Sequence, residues 1–458
     1  MKSKHYHLIG IGGIGMGTLA SLLLAKGHKV SGSDLKENEL TAQLRKSGAV
    51  ISLGHHAGHI QNCDYVVHSS AIRMTNPEMI ESVGRNLPLL KRAEVLAQLV
   101  NEQIGITIAG AHGKTTTTSM ISCLLLKAQL KPTTAVGGII NGNTYNAHLG
   151  EGKFFVAEVD ESDGTFLYFR PMYSVITNID FEHVDFYKDW KGITEAYRKF
   201  INHTNDNGVM IVCAEDERLK GLVKESNKKA VYYGLNKSCD VYALNIQTDG
   251  FHSRFECYTP SGKLGDFELI IPGNHNVLNA LACISVGLQL NVPVDVMQTT
   301  LKEFGGVKRR FQLKGRVEDI MVVDDYGHHP TEIEATLKAA RLFKKKRLLT
   351  IFQPHRYSRT KFLLNEFVES LSLTDQLVIT DIYAASEKPS EGATIQDLLE
   401  PLQKKMGDRV IFLKKENILS HLIDSVKDGD LVLFLGAGDV NQYCDALLSS
   451  LAKKRVMV

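Results

Sequence analysis

Gly105-Ile106-Thr107-Ile108-Ala109-Gly110-Ala111-His112-Gly113-Lys114-Thr115-Thr116 is a β-branched run that enters a glycine loop and leaves it through Lys-Thr. The run predicts a buried strand and Thr116–Ala128 predicts a helix. The loop between them is therefore placed at a strand–helix junction, where backbone amides can cradle phosphates. Lys114 can then reach the β/γ-phosphates, and the Thr115 hydroxyl can ligate Mg²⁺. The loop is shorter than the usual G-x-x-x-x-G-K-[ST], because Ile108 stands where its first glycine would be. Its position after the β-branched run makes ATP binding the leading reading.

The same strand–glycine–helix unit occurs upstream. Gly10-Ile11-Gly12-Gly13-Ile14-Gly15 is a G-x-G-x-x-G between a short apolar run, His7–Gly10, and a helical pattern, Ile14–Ala25. Gly10, Gly12, Gly13 and Gly15 let the backbone turn tightly and approach a diphosphate at a helix N-terminus. Asp34 follows Gly15 by 19 residues, at the end of a second strand, where an acid can bond a ribose. A nicotinamide dinucleotide and a UDP-sugar satisfy this loop equally. A weaker echo of the unit lies at Leu435-Gly436-Ala437-Gly438.

Around these units strands and helices alternate, which predicts an α/β protein built on parallel sheets. Strands are expected at Lys29–Ser33, Tyr65–Ser69, Phe154–Glu158, Tyr173–Thr177, Gly208–Val212, Met321–Val323, Leu348–Phe352, Gln376–Thr380, Val410–Phe412 and Leu431–Leu435. From Asp240 to Ile271 alternating runs with turn residues predict an antiparallel meander. Helices are expected at Glu37–Lys46, Asn76–Gly84, Lys91–Asn101 and Asn274–Leu290, the last with Asn276 and Asn279 near its start.

A chain of 458 residues suggests three domains. The expected divisions are 1–103, 104–313 and 314–458. Apolar residues at 43% and charged residues at 23% are ordinary for a globular chain. A net charge of +2 does not mark a nucleic-acid coat or a membrane-surface binder. Seven scattered cysteines form no CxxC pair, so neither a zinc knuckle nor a disulfide framework is signalled. Cys123 is expected in buried packing. No apolar run is long enough to span a bilayer, and the glycines near the N-terminus argue against a signal peptide. A cytoplasmic protein is expected.

Acids and an imidazole cluster after the central loop. Glu158 is followed by Asp160, Glu161 and Asp163 at a strand's C-terminal end, where α/β proteins bind ligands. Thr177-Asn178-Ile179-Asp180-Phe181-Glu182-His183 adds a histidine. Carboxylate plus imidazole near a phosphate loop suits divalent-metal ligation. Asp160 and Asp180 taken singly read as solvated loop charges.

The ordered series Gly110–Thr118, Glu158–Asp163, Thr177–Tyr187, Gly273–Ala280, Arg309-Arg310-Phe311 and Asp324-Asp325-Tyr326-Gly327-His328-His329-Pro330-Thr331 resembles the ATP-dependent Mur ligases of peptidoglycan synthesis, over essentially the whole chain. Gln353-Pro354-His355-Arg356-Tyr357-Ser358-Arg359-Thr360 is similar to the branch that adds the first amino acid. A related branch, which recycles murein peptide, shares the Asp-Asp-aromatic-x-His-His-Pro segment and lacks the His-Arg-aromatic-x-Arg run.

The resemblance implies three domains: a Rossmann-like UDP-sugar domain, a central P-loop ATPase domain with a small antiparallel sheet, and a Rossmann-like C-terminal domain. It implies ligation of L-alanine to the lactyl carboxylate of UDP-N-acetylmuramate through an acyl phosphate. ATP and Mg²⁺, or Mn²⁺, would be the cofactors. No nucleic acid and no membrane insertion are expected, and the chain would be a monomer or weak homodimer.

Residue by residue, the resemblance puts Gly110, Ala111, His112, Gly113, Lys114, Thr115, Thr116, Asn276, Asn279, Arg310 and Asp325 on the nucleotide. Thr115, Glu158 and His183 would hold the metal. Gly10, Gly12, Gly13, Gly15, Asp34, Ser69 and Ser70 would hold the sugar nucleotide. Tyr326, His328, Arg356 and Arg359 would handle the amino acid and the intermediate. His329 reads alternatively as a helix cap before Pro330. Two departures stand out: Ala111 where a threonine is expected, and Glu182 where an aspartate is expected before His183. The alternatives are the recycling ligase, an NAD-dependent dehydrogenase reading the first glycine loop, and a nucleotide-binding scaffold without turnover.

Overall fold

The computed structural model describes residues 3–69, 71–141, 147–385, 387–389 and 392–456. It is a three-domain α/β structure built on three sheets. One compact unit takes the chain through Leu244 with Glu256–Gly265 and Leu278–Leu301; the other takes Asn245–Phe255, Asp266–Val277 and the chain from Lys302 onward.

The first sheet has five parallel strands, in the order Val50–Leu53, Lys29–Asp34, His5–Ile9, Tyr65–His68, Leu89–Lys91. His5–Ile9 lies in the middle with later strands on both sides, so a topological switch point sits at its C-terminal end. The helix Ile14–Ala25 starts there, as its apolar pattern predicts. The second sheet has ten strands. Ile104–Ala109 pairs in parallel with Phe154–Glu158 on one side and Tyr173–Ile176 on the other, which makes a second switch point. Both neighbours are buried strands that read as continuous apolar runs, the mark of a sheet covered on both faces. Val241–Asp249, His252–Thr259 and Gly262–Leu269 end this sheet, and their two-residue connections require antiparallel pairing.

The third sheet runs Gln312–Val317, Ile320–Asp325, Asp430–Leu435, Arg347–Phe352, Gln376–Ile379, Val410–Phe412. Its first pair is antiparallel and the rest are parallel. Strand Asp430–Leu435 is buried throughout and carries the echo glycines at its C-terminal end. Cys123 is half-buried, the other six cysteines are buried, and all seven are free thiols. Among the described residues no helix is long and apolar enough to cross a membrane.

Candidate active site

The central loop is tied down by the segment that follows Tyr173–Ile176. Asn178 accepts from the His112 amide at 2.9 Å, and its own amide donates to the His112 carbonyl at 3.0 Å. Thr177 Oγ1 donates to the same carbonyl at 2.6 Å. Gly110 and Gly113 both take positive φ, +130° and +82°. A Cβ on Gly110 would lie 2.1 Å from Thr177 Oγ1, and one on Gly113 2.6 Å from Asn279 Oδ1. These glycines therefore serve close approach as well as conformation. The resulting cradle opens at the N-terminus of the Lys114–Lys127 helix.

Lys114 Nζ donates to the Gly110 carbonyl at 2.5 Å and to Glu161 Oε1 and Oε2 at 3.0 and 2.9 Å. Burial pushes the lysine pKa down, but Glu161 first, then Asp160, Glu182 and Glu158, raise it by more, so Lys114 stays charged. Glu161 is buried, its carbonyl accepts from the Tyr187 hydroxyl, and its Oε1 lies 3.3 Å from His183 Nε2. In the sequence Glu161 is one acid among four, and its partner Lys114 lies 47 residues away.

The expected metal ligands fall into two groups. Thr115 Oγ1 donates to Glu158 at 2.9 Å, and the other Glu158 oxygen accepts from the Gly137 amide at 2.8 Å. His183 joins Asp160 and Glu161, with ligand atoms all within 4.8 Å of one another. The donor set, hydroxyl, carboxylates and imidazole beside a phosphate cradle, fits a divalent cation. Burial raises the Asp160 carboxyl, but Lys114, the Ser162 amide and His183 lower it further, leaving it below the ordinary value. His183 has φ +56°, a conformation that costs a β-carbon-bearing residue energy and recurs at functional sites.

Asp160 is an exposed residue, as its loop suggests, whereas Asp180 is half-buried and paired. Asp160 belongs to the His183 group. Asp180 bonds His112 Nε2 at 2.7 Å and the Phe181 amide at 2.7 Å. Of the two departures, Ala111 donates its amide to the Asn178 carbonyl at 3.2 Å, a contact that needs no side chain. Glu182 is buried with Oε2 3.7 Å from His183 Nε2.

In the N-terminal sheet, the Gly10 and Ile11 amides both bond the Ser33 carbonyl, at 2.8 and 3.0 Å. Gly12 donates to Asp34 Oδ2 at 2.8 Å, so the acid at the second strand's end braces the loop. A Cβ on Gly12 would sit 2.9 Å from that oxygen, and one on Gly15 3.2 Å from the Arg92 guanidinium. Ser69 Oγ lies beside Gly10. Ser70 lies outside the described residues.

Below this loop is a network the sequence reading missed. Buried Glu78 accepts from Ser33 Oγ at 2.5 Å and lies 2.7 Å from His59 Nδ1 and 3.3 Å from His55 Nδ1. His7 Nε2 is 3.8 Å away, an ionic but not a hydrogen-bonding distance. Burial raises the Glu78 carboxyl, yet His7, Ser33 and His59 outweigh it and hold the pKa at about 2.

In the second unit, Asp325 is buried and accepts from the amides of Phe311 and Gly327, each at 2.7 Å. Burial raises its carboxyl above the ordinary range against Arg310 and these amides. Asn276 is buried and donates to the Pro272 carbonyl at 2.7 Å. The Tyr326 ring lies 4.9 Å from the Arg309 guanidinium and 5.1 Å from that of Arg310. His328 sits edge-on to Tyr326 and to His355, with centroids 5.4 and 5.8 Å away. Arg359 is buried, and its guanidinium bonds the His355 ring and carbonyl at 3.2 Å. Arg356 has φ +71° and starts the short helix Tyr357–Phe362. His329 takes the alternative reading: its side chain caps the Pro330–Arg341 helix in a capping box with Glu332.

A phosphate cradle with its lysine, a carboxylate–imidazole group and three α/β domains define a nucleotide-dependent ligase architecture, and the chain belongs to the Mur ligase family. Residues 5–104 match the profile described as Mur ligase family, catalytic domain, 108–287 the Mur ligase middle domain, and 309–438 the Mur ligase, glutamate ligase domain. Within the family the chain is similar to the UDP-N-acetylmuramate–L-alanine ligase of Geotalea uraniireducens, 46% identical over 98% of each chain. It is 44% identical over 99% of each chain to that of Pelobacter propionicus. Among solved structures it resembles the UDP-N-acetylmuramate–alanine ligase of Thermotoga maritima, with TM-score 0.83, 29% identity, and 98% and 100% of the two chains covered. A murein peptide ligase of Psychrobacter arcticus superposes with TM-score 0.73 at 25% identity, over 98% and 99%.

Proposed function

We propose that this chain ligates L-alanine to the lactyl carboxylate of UDP-N-acetylmuramate, at the expense of ATP, in peptidoglycan precursor synthesis. The observation that carries the reading is full-length identity of 46% to an enzyme of that name. The proposed domains are 1–103 for the sugar nucleotide, 104–313 for ATP and 314–458 for the amino acid, and the protein acts in the cytoplasm.

A carboxylate does not acylate an amine at neutral pH. The lactyl carboxylate oxygen attacks the γ-phosphorus of ATP, the bond to the β-phosphate oxygen breaks, and ADP leaves. The neutral alanine amine then attacks the acyl carbon, inorganic phosphate departs, and the amine gives up a proton. Phosphoryl transfer needs positioning and charge neutralisation more than covalent help. Lys114 and the loop amides serve the β/γ-phosphates, and the family pattern assigns Arg310 to the nucleotide. Asn276, Asn279 and Asp325 complete the nucleotide contacts. Thr115 with Glu158, and His183 with its acidic neighbours, would hold Mg²⁺, which when bound neutralises phosphate charge.

The tetrahedral intermediate is anionic, and fixed cations such as Arg356 and Arg359 stabilise it. His328, with Tyr326 beside it, orients the amine or takes its proton. Gly10, Gly12, Gly13, Gly15 and Ser69 hold the sugar nucleotide, with Asp34 bracing their loop.

The test is inorganic phosphate release with ATP, Mg²⁺ and UDP-N-acetylmuramate, comparing L-alanine with the tripeptide L-Ala-γ-D-Glu-diaminopimelate. Release with alanine is the expected result. Release with the tripeptide alone would move the chain to peptide recycling.

A further inference from the structure

The echo loop Gly436-Ala437-Gly438-Asp439 has no part in the scheme above, yet side chains bond it on several sides. It leaves the C-terminal end of strand Asp430–Leu435, beside the end of Arg347–Phe352, where parallel sheets take ligands. One buried side chain shapes it. Gln353 Oε1 accepts from the Asp439 amide at 2.9 Å and the Val440 amide at 3.2 Å, while its Nε2 donates to Asp439 Oδ1 at 2.9 Å.

The glycines answer to the same residue. A Cβ on Gly436 would lie 2.7 Å from the Gln353 carbonyl, and one on Gly438 2.2 Å from Gln353 Oε1. Lys415 holds the far side through Asp439, at 2.7 and 2.9 Å. Arg309 donates to the Gly436 and Gly438 carbonyls at 2.7 and 3.1 Å. Gln353 and Arg309 thus bond the backbone of Gly436, Gly438, Asp439 and Val440, and Lys415 holds the Asp439 carboxylate.

What the turn faces follows from its contacts. A Cβ on Gly438 would be 2.9 Å from Tyr383 Cδ2. Tyr383 stacks on His355 with centroids 5.5 Å apart, and its carbonyl accepts from the Arg356 amide at 2.9 Å. The turn therefore meets Tyr383, which itself contacts the segment that carries Arg356 and Arg359. We infer that Gln353 is a positioning residue that sets the Gly436–Asp439 turn as one wall of the pocket for the incoming amino acid. The inference rests on the amino-acid-handling role proposed for Arg356 and Arg359.

Gln353→Glu keeps the acceptor but replaces the donor with a carboxylate facing Asp439. Gly438→Ala pushes the amide from the other side, at a glycine whose φ is not positive. Two rates are read for each. One is amide formation against alanine concentration. The other is capture of the acyl phosphate by hydroxylamine, which reports phosphoryl transfer without an amino-acid pocket.

Phosphate release by the unaltered chain with L-alanine is measured first and tests the ligase reading alone; Gln353 is judged by the ratio of variant to unaltered chain with whichever amine supports release. The expected result is a KM for the amine raised about tenfold to a hundredfold, the cost of about 1 Å of misplacement, with hydroxamate formation within about twofold of the unaltered chain. Equal loss of both rates, or an unchanged KM in Gly438→Ala, would overturn the proposal. Should Gln353→Glu not fold, Gly438→Ala decides by the same two rates.

Discussion

The two glycine loops, residues 10–15 and 110–115, start from the same local plan and end with different chemistry. In both, a central parallel strand runs into glycines and then a helix, at a point where the sheet order reverses. At the first loop the neighbouring acid is spent on the backbone, since Asp34 accepts from Gly12. At the second, Lys114 is held by its own loop carbonyl and by a carboxylate 47 residues on, with a hydroxyl–carboxylate pair beside it. In the first arrangement the Gly10, Ile11, Gly12 and Gly13 amides are bonded within the domain, and the loop carries no reactive side chain. The second adds a fixed cation and a set of hydroxyl and carboxylate oxygens. Glycines make a phosphate site; what surrounds them decides between holding and reacting.

The largest test of this contrast is Lys114→Ala. Loss of the charge proposed to meet the transferring phosphoryl group should cut phosphate release about a thousandfold or more, with the far-ultraviolet circular dichroism unchanged. Gly12→Ala should do something different. Its Cβ would meet Asp34 Oδ2 and Thr41, so the loop must shift, and KM for the sugar nucleotide should rise about tenfold to a hundredfold while KM for ATP stays put. If KM for ATP moves instead, the assignment of the two loops is reversed.

Glu78→Gln probes the foundation of the first loop. Removing the charge from a buried, multiply bonded site should cost about 3–5 kcal/mol, read as a lower unfolding midpoint in urea. The pH dependence has a definite sign. The Glu78 carboxyl is held at about 2 when folded against an ordinary 4.5. Its stabilisation is complete above pH 4.5 and is lost as pH falls toward 2, because the unfolded chain binds the proton first. The glutamine variant should lose that part of the acid limb. Ala111→Thr is the smallest change: that residue contributes its amide, so kcat/KM should move less than about threefold.

Much of the architecture was legible because its elements are long and periodic. The helix Ile14–Ala25 and the strand Phe154–Glu158 have the bounds that their patterns imply. The strands Val50–Leu53 and Leu89–Lys91 escaped, being three or four residues long at the edges of a sheet, too short for a period to register. The third sheet's first strand, Gln312–Val317, has no apolar run to announce it. That strand is polar and only partly buried, and it pairs antiparallel along one edge.

Among the candidate site residues, the chemically distinctive ones stand out in the sequence: the glycines, Lys114, Thr115, Glu158 and His183. Chain order alone placed them at strand ends. It could not say which acid Lys114 meets, that Glu78 supports Ser33 across 45 residues, or that Gln353 shapes a turn 86 residues away. Local pattern sets strand, loop and helix because those depend on neighbouring residues. Partners this distant depend on strand order and burial, and a buried polar group takes whichever partner the packed sheets bring within reach. The amino-acid sequence thus determined the folds and the reactive groups, and the tertiary structure decided how those groups are paired, braced and charged.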